Sequence, residues 1–300
     1  MKRILLLISA ISAFAASALA QEGVAANEVL GFLRFERSAA RAGVAGAGAA
    51  SQIGGSAFAA FGNPVAAGRG AGKIEAGASY GIWAPDINSS TNIAAGASIR
   101  LAEGFALSAG YFSGMFAELD LGDTSYAPKD IVLAAGLALA LGESFSLGAS
   151  LNYAKEQLLE DYSYSGVAAD VLLSFNGKSL GVTAGVRSLG GKVSDSSLPA
   201  SAMAAASWSL SAGSVAVSAV ADADYYFSGN WSAAAGIEAT TADLVHIRAG
   251  YRLSSGRAVL PSHLSLGAGL SLGPCTLDIA YLLASETLGG SFVAGLSARF

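Results

Sequence analysis

Apolar and polar residues alternate with a period of two along most of the chain. The clearest case is the segment 262–272, where leucine and alanine occupy every second position and histidine, serine and glycine lie between them. The segment 178–188 alternates in the same way. Successive side chains of a β-strand point to opposite faces, so this pattern predicts strands with one apolar face and one small or polar face.

Alternating segments follow one another from residue 73 to the C-terminus. Each is close to the roughly ten residues that a tilted strand needs to cross a bilayer. In the segment 130–142 the second face consists mostly of small apolar residues, so we expect another part of the chain to pack against it. We count fourteen segments: 73–84, 91–102, 104–113, 130–142, 143–153, 165–176, 178–188, 200–211, 213–226, 229–240, 243–253, 262–272, 275–284 and 291–300.

The connections between these segments alternate in length. After every even-numbered segment the link is a very short turn, whereas the other links are mostly longer, with an exception at Ser228. Short turns at one end and longer loops at the other are typical of outer-membrane barrels. A soluble β-sandwich would carry polar outer faces, but here the outer faces are leucine, alanine, valine and isoleucine. The pattern therefore predicts an all-β fold, a transmembrane antiparallel β-barrel of about 14 strands.

Both ends of the chain favour export to the outer membrane. Basic residues precede an apolar stretch at the N-terminus, and Ala18-Leu19-Ala20 has the form of a cleavage site, which predicts a cleaved signal peptide over residues 1–20. The last segment has one apolar face and ends in the aromatic residue Phe300, as a closing barrel strand does. We therefore expect a protein of the cell outer membrane, in contact with outer-membrane lipid and lipopolysaccharide.

The composition fits this prediction. Charged residues make up 13% of the chain, where about 25% is usual. Hydrophobic residues reach 53%, yet no apolar run after the signal peptide is long and continuous enough for a membrane helix, as expected if apolar residues are spread along strands. The net charge is -5 and the sequence has no basic stripe, which excludes nucleic acid as a partner.

The segment 21–72 does not alternate and is rich in glycine and alanine. Taken alone, it fits a periplasmic linker with one turn. It contains Phe32, Leu33 and Arg34, then Arg41, Ala42 and Gly43, then Asn63 and Pro64. These residues resemble the PorV/PorQ family, part of the wider FadL-like barrels of fatty-acid transporters. The N-terminal segment of FadL-like proteins folds into the barrel lumen, so the resemblance implies a plug over residues 21–72, between the signal peptide (1–20) and the barrel (73–300).

The main candidate site is a group of ionisable residues on the predicted lumen face, and Asp170 and Arg187 face inward on the neighbouring strands. Charges inside a barrel must be paired or hydrated, so we expect ion pairs that hold plug and wall together, with a ligand or ion path as the alternative. The sequence offers no activated nucleophile and no ligand-spaced histidines, so we expect no catalytic residue, metal, cofactor or enzyme activity. The group comprises Asp222, Asp224, Glu238, His246, Arg248 and Arg252.

Two functions from different classes remain open. The PorV/PorQ resemblance implies an accessory or cargo-handling component of type IX secretion, with secretion-system or cargo proteins as partners. The wider FadL-like resemblance implies a gated pore for uptake of small hydrophobic or amphipathic molecules. Short loops argue against the first function, because partner recognition needs surface. A charged lumen argues against the second, because a path for hydrophobic molecules should be apolar.

Overall fold

The structure, a computed structural model, describes residues 28–84, 89–120, 125–256, 258–285 and 288–300. The predicted signal peptide lies outside these residues. Within the described chain, sixteen strands are present, of which fourteen close into one antiparallel barrel and two form a separate short hairpin. No helix in this part of the chain is both long enough and apolar enough to cross a membrane.

The strands are numbered in chain order. Each barrel strand pairs with the next one along the chain, except that β3 pairs with β6 because β4 and β5 form the separate hairpin. The strands are β1 (Ile74–Trp83), β2 (Ser90–Ala102), β3 (Phe105–Phe116), β4 (Leu119–Asp120), β5 (Ser125–Tyr126), β6 (Lys129–Ala140), β7 (Phe145–Leu159), β8 (Tyr162–Asn176), β9 (Leu180–Leu189), β10 (Ser201–Ala212), β11 (Val215–Tyr226), β12 (Trp231–Thr241), β13 (Val245–Ser254), β14 (His263–Leu272), β15 (Cys275–Leu283) and β16 (Phe292–Arg299).

The barrel closes where the first strand meets the last. β1 pairs with β16 in one continuous register, from Glu75 opposite Arg299 to Ile82 opposite Phe292. Each of the fourteen predicted segments corresponds to one barrel strand, so the predicted fold class and strand number are confirmed. The connections also separate by length. We call the end with the turns 103–104, 141–144, 177–179, 213–214, 242–244 and 273–274 the short-turn end, and the opposite end the long-loop end.

One predicted loop is wrong. Residues 154–164 are mostly strand, because β7 and β8 continue their pairing as far as Leu159 opposite Tyr162. The apolar alternation stops near residue 153, whereas β7 stays paired with β6 as far as Gln157 and with β8 as far as Leu159, so backbone pairing continues there without the alternating pattern. The β4–β5 hairpin, within the predicted loop 114–129, was also not expected from the sequence.

The outer face of the barrel is an apolar belt. Its leucine, isoleucine and valine side chains are among the most exposed in the protein, for example Leu151 at 59% and Ile237 at 57%. Apolar surface on this scale is unfavourable in water and favourable in hydrocarbon. The belt alternates with buried residues along each strand, as in a barrel that spans a bilayer.

A charge on this belt should destabilise the folded barrel according to depth. Leu151 lies near the middle of β7, whereas Leu272 ends β14 beside a turn at the short-turn end. We expect Leu151→Arg to cost about 2–4 kcal/mol of the free energy of unfolding, and Leu272→Arg about 0–1 kcal/mol. Equilibrium unfolding of the protein in lipid vesicles with urea measures both values. Equal costs for the two variants would contradict a membrane-spanning belt.

Residues 28–72, which we call the lumen segment, run through the barrel interior. The segment contains a 3₁₀ helix (Gly31–Arg34), the short helix α1 (Ala39–Ala42) and a second 3₁₀ helix (Pro64–Arg69). At the long-loop end, the Val29 amide donates to the Ser197 carbonyl. At the short-turn end, Arg69 Nη1 donates to Asn176 Oδ1 at 2.6 Å. The segment therefore spans the lumen from one end to the other before β1 begins.

Small residues on the wall let this backbone approach closely. A Cβ atom added to Gly250 would lie 2.3 Å from the carbonyl carbon of Val44, and one added to Gly148 would lie 2.5 Å from the amide nitrogen of Val65. Glycine is the residue that permits such an approach. The small face of β6 serves the same purpose, because the second 3₁₀ helix packs on Ala138 there, which accounts for the small residues noted in the sequence.

Candidate functional site

The candidate site is the barrel lumen, and its long-loop end is apolar. Phe32 of the lumen segment stacks on Phe112 of β3, with ring centroids 6.2 Å apart. Phe35 stacks on Trp83 of β1 at 5.2 Å. Phe32 and Leu30 complete a buried group that we call the upper apolar cluster, with Leu198 of the loop 190–200 and the wall residues Ala94, Phe112, Val132, Ala154 and Ala168.

The family-motif residues of the sequence are spread along the lumen segment. Phe32 is buried, and Leu33 packs against the upper apolar cluster. Arg34 Nη2 donates to Asp224 Oδ1 at 2.5 Å. Arg41 Nε lies 3.2 Å from Glu36 Oε2 within the segment itself.

The remaining motif residues are used for close packing. A Cβ atom on Gly43 would meet the Cα of Gly267 on β14 at 3.0 Å. Asn63 and Pro64 are buried where the second 3₁₀ helix begins, and Asn63 Nδ2 donates to the Ala49 carbonyl at 3.4 Å. These residues therefore determine how the segment packs against the wall.

Arg37 is a functional candidate that the sequence analysis missed. Its guanidinium lies 4.4 Å from the ring centroid of Phe112 and 5.2 Å from that of Phe61. It also donates to carbonyl oxygens of its own segment, including that of Phe32 at 2.6 Å. Arg37 thus ties the aromatic rings to the backbone of the first 3₁₀ helix. Backbone carbonyls are present at every residue, so the sequence does not show which of them Arg37 contacts. Only the position of Arg37 between Arg34 and Arg41 could have pointed to it.

The predicted polar group on β11–β13 is divided into separate sites. Asp224 forms one of them, with Arg34 at 2.5 Å, Ser201 Oγ at 2.9 Å and Arg187 Nη1 at 3.8 Å. This site joins the lumen segment to β9, β10 and β11. Asp224 is 5% exposed, so its carboxylate relies on these partners rather than on water.

Glu238, His246 and Arg248 form a second site near the short-turn end. Arg248 Nε donates to Glu238 Oε2 at 2.6 Å, and Arg248 Nη1 donates to Asp278 Oδ1 at 2.5 Å. His246 Nδ1 lies 3.8 Å from Glu238 Oε2 and 3.0 Å from Thr240 Oγ1. Asp278 was not among the predicted residues. This site belongs to the wall alone, so it differs from the predicted pairing of plug with wall.

Asp222 and Arg252 bind the backbone of the lumen segment. The Asp222 carboxylate accepts hydrogen bonds from the amides of Gly48, at 2.8 Å, and Ala49, at 3.1 Å. Arg252 Nε donates to the carbonyl of Ala45 at 3.1 Å. Contacts of a charged side chain with backbone groups fix the path of the chain, because the backbone partners cannot rotate away.

Cavities remain on either side of the segment. A central cavity of about 60 Å³ lies between the segment and the wall near Arg187 and Asp224. Two larger ones, of about 230 and 310 Å³, lie at the short-turn end and share Gln52, Ile53 and Arg69 in their lining. Among the described residues, no group of histidine, cysteine and acidic side chains is arranged to hold a metal ion.

No family model and no curated protein matches this chain. Solved structures match its fold. The Ralstonia pickettii toluene transporter TbuX has a TM-score of 0.63 and 14% identity, over 88% of this chain and 98% of that one. The CymD monoaromatic hydrocarbon channel has a TM-score of 0.62 and 15% identity, over 88% and 97%. The P. putida toluene transporter TodX has a TM-score of 0.62 and 11% identity, over 88% and 98%.

At these identities the likeness establishes a shared fold. The closed fourteen-strand barrel predicted from the sequence is shared with these structures, and nearly the whole length of each solved chain takes part in the match. None of the three descriptions mentions secretion, so the PorV/PorQ resemblance draws no support from them.

Proposed function

We propose that this protein is an outer-membrane channel that admits small hydrophobic molecules, with the lumen segment as its plug. The observation that carries this proposal is the match of the complete barrel to channels described as toluene or monoaromatic hydrocarbon transporters. The second expectation from the sequence, a gated pore, is therefore preferred over a role in secretion.

The upper apolar cluster is suited to receive such a molecule. It lies at the long-loop end, which faces outward in barrels whose short turns are periplasmic. Its rings are Phe32 and Phe112, and Phe35 and Phe61 pack against it, so aromatic surface is available for an aromatic ligand. A ligand pocket of this kind is mostly apolar with a few fixed polar groups, and Arg37 is the polar group here.

The lumen segment accounts for gating. It is held by the ion pair of Arg34 with Asp224, by backbone amides that donate to Asp222 and by a hydrogen bond from Arg252, so it closes the barrel as a defined structure rather than as a loose chain. Several of these contacts involve charges that are buried in the closed form. Water that enters the lumen would hydrate them, which lowers the cost of separating segment and wall.

Narrowing the upper apolar cluster should slow uptake. Ala168 is buried in the cluster, whereas the adjacent Val167 faces lipid and is 54% exposed. We expect Ala168→Trp to reduce uptake of radiolabelled toluene by cells expressing the protein several-fold, because an indole ring fills space that the ligand needs. Val167→Trp is the matched control and should leave uptake unchanged, because tryptophan is tolerated on a lipid-facing surface.

The uptake test needs two controls: the amount of each variant in the outer membrane, and uptake by cells without the protein. Both variants must reach the outer membrane in equal amounts, shown by quantitative blotting of membrane fractions. If cells with the unaltered protein take up toluene no faster than cells without it, the proposed function is wrong. If they do take it up faster and Ala168→Trp has no effect, the ligand path lies outside the upper apolar cluster.

A further inference from the structure

The central cavity between lumen segment and wall is lined by an excess of guanidinium groups. Its volume is about 60 Å³, and a water molecule needs roughly 10–15 Å³ of such space, so it accommodates a group of a few non-hydrogen atoms. Three carboxyl groups also line it. The charged lining consists of Arg34, Arg37, Arg41, Arg187 and Arg252, with Glu36, Asp170 and Asp224.

The carboxylates of this lining already have their own partners. Asp170 accepts from Ser150 Oγ, Asn152 Nδ2 and the Ser188 amide, all within the wall. Glu36 accepts from two backbone amides of its own segment, besides its ion pair with Arg41.

Asp224 is bound most closely by Arg34 at 2.5 Å. Asp222, which is buried outside the lining, is likewise occupied by two backbone amides. The carboxylates nearest the cavity are therefore committed to other groups.

Arg187 has the least complete set of partners. It is 9% exposed, and its closest carboxylate oxygen, on Asp224, is 3.8 Å from Nη1. Its Nε and Nη2 atoms are buried and have no hydrogen-bond partner among the described residues. Burying a guanidinium whose N–H donors have no acceptor costs free energy of folding. A bound ion or water that accepts these hydrogen bonds would remove that cost.

We propose that this cavity binds one compact oxyanion, held by Arg187 with Arg37 and Arg252 around it. A guanidinium presents parallel N–H groups that match the oxygens of a carboxylate or phosphate. The ligand chemistry is that of a carboxylate or phosphate group, either as a free ion or as the head of a small organic acid. The cavity borders the upper apolar cluster, since Arg37 and Val132 line it, but the inference rests on the unused donors of Arg187 and not on which molecule crosses the barrel.

Thermal unfolding of the purified full-length protein in neutral detergent tests the proposal. Phosphate, acetate or benzoate is titrated against chloride at constant ionic strength, and the unfolding temperature is recorded. A bound oxyanion should raise that temperature saturably, because it binds the folded state alone. Stronger binding of phosphate or acetate identifies a free ion, whereas stronger binding of benzoate identifies the head of an organic acid.

Variants assign the effect to the cavity. Arg187→Gln should weaken binding by about tenfold or more, because it removes charge-assisted hydrogen bonds. Arg187→Lys keeps the charge and should still weaken binding, since an ammonium cannot bind two oxygens in parallel. Lys192→Gln, at an exposed position in the loop 190–200, makes the same change in charge and should leave binding unchanged.

Several outcomes would overturn the proposal. A temperature rise that does not saturate, or that is equal in Arg187→Gln and the unaltered protein, indicates a general salt effect. No rise with any of the three anions indicates that water completes Arg187. Calorimetric titration of phosphate and benzoate into the Arg187→Lys variant, which retains the buried charge, separates lost binding from lost folding.

Discussion

Replacing Gly250 with valine should displace the lumen segment from the barrel wall and make the barrel conduct ions. The new Cβ would lie 2.3 Å from the Val44 carbonyl carbon and 2.7 Å from its Cα, and neither backbone atom can rotate aside. Position 250 is fixed in the wall by pairing of β13 with both β12 and β14, so the lumen segment is the part that must move. Overpacking of this kind costs about 1–3 kcal/mol or more, which favours displacement of the segment.

Single-channel recording in planar bilayers measures the effect of Gly250→Val. The matched control is Gly191→Val, because a Cβ at Gly191 meets no atom within 4 Å. The control should conduct as little as the unaltered protein. Resistance of the barrel to detergent unfolding shows that the wall is intact in both variants. A Gly250→Val protein that is folded and still closed would mean that the segment does not block the lumen.

Deleting residues 28–60 should have a still larger effect on conductance. These residues include the first 3₁₀ helix, α1 and the chain that Asp222 and Arg252 hold, whereas the fourteen barrel strands remain. Fourteen strands enclose more space than the side chains of a barrel of about 8 strands fill, and barrels of about 16–18 strands hold a water channel, so conductance should rise by about an order of magnitude or more once the segment is removed. The measurement is again a bilayer recording, at several salt concentrations.

A peptide added in trans provides the control for this deletion. A synthetic peptide of residues 28–60 should restore low conductance, because it can reoccupy the lumen of the truncated barrel. The same peptide with Gly43→Leu should fail, since a Cβ at Gly43 already meets the Cα of Gly267 at 3.0 Å. If the deletion leaves conductance unchanged, the gating part of the proposed function is wrong, although the barrel could still admit hydrophobic molecules by another route.

Much of the wall could be predicted from the sequence for a physical reason. Each strand lies between lipid and lumen, so its side chains must alternate, and a period of two survives in segments such as 262–272. Where a strand no longer lies between lipid and lumen, its side chains need not alternate and the period of two is lost. Residues 154–159 of β7 are paired with β8, but their side chains do not alternate, so this pairing cannot be seen in the pattern of residues.

The lumen contacts were less predictable. The alternation along β11 and β13 predicted that Asp222 and Arg252 face the lumen. Their partners there are backbone groups: the amides of Gly48 and Ala49 for Asp222, and the carbonyl of Ala45 for Arg252. Every residue offers a backbone amide or carbonyl, so residue type gives no sign of such a partner. The six predicted residues therefore appeared to form one cluster. In the structure they belong to separate sites, and some of these sites include residues of the lumen segment, which is distant in sequence.

The seam between β1 and β16 determines the order in which the molecule can assemble. The lumen segment leads directly into β1, and the Lys73 amide donates to the Phe300 carbonyl, so the plug is anchored at the position where the wall closes. Pairing across this seam joins residues more than two hundred positions apart, which makes it a late and slow event in folding. We therefore expect the wall to close around its own N-terminal chain, because the lumen segment is held beside the seam where the last pair of strands forms.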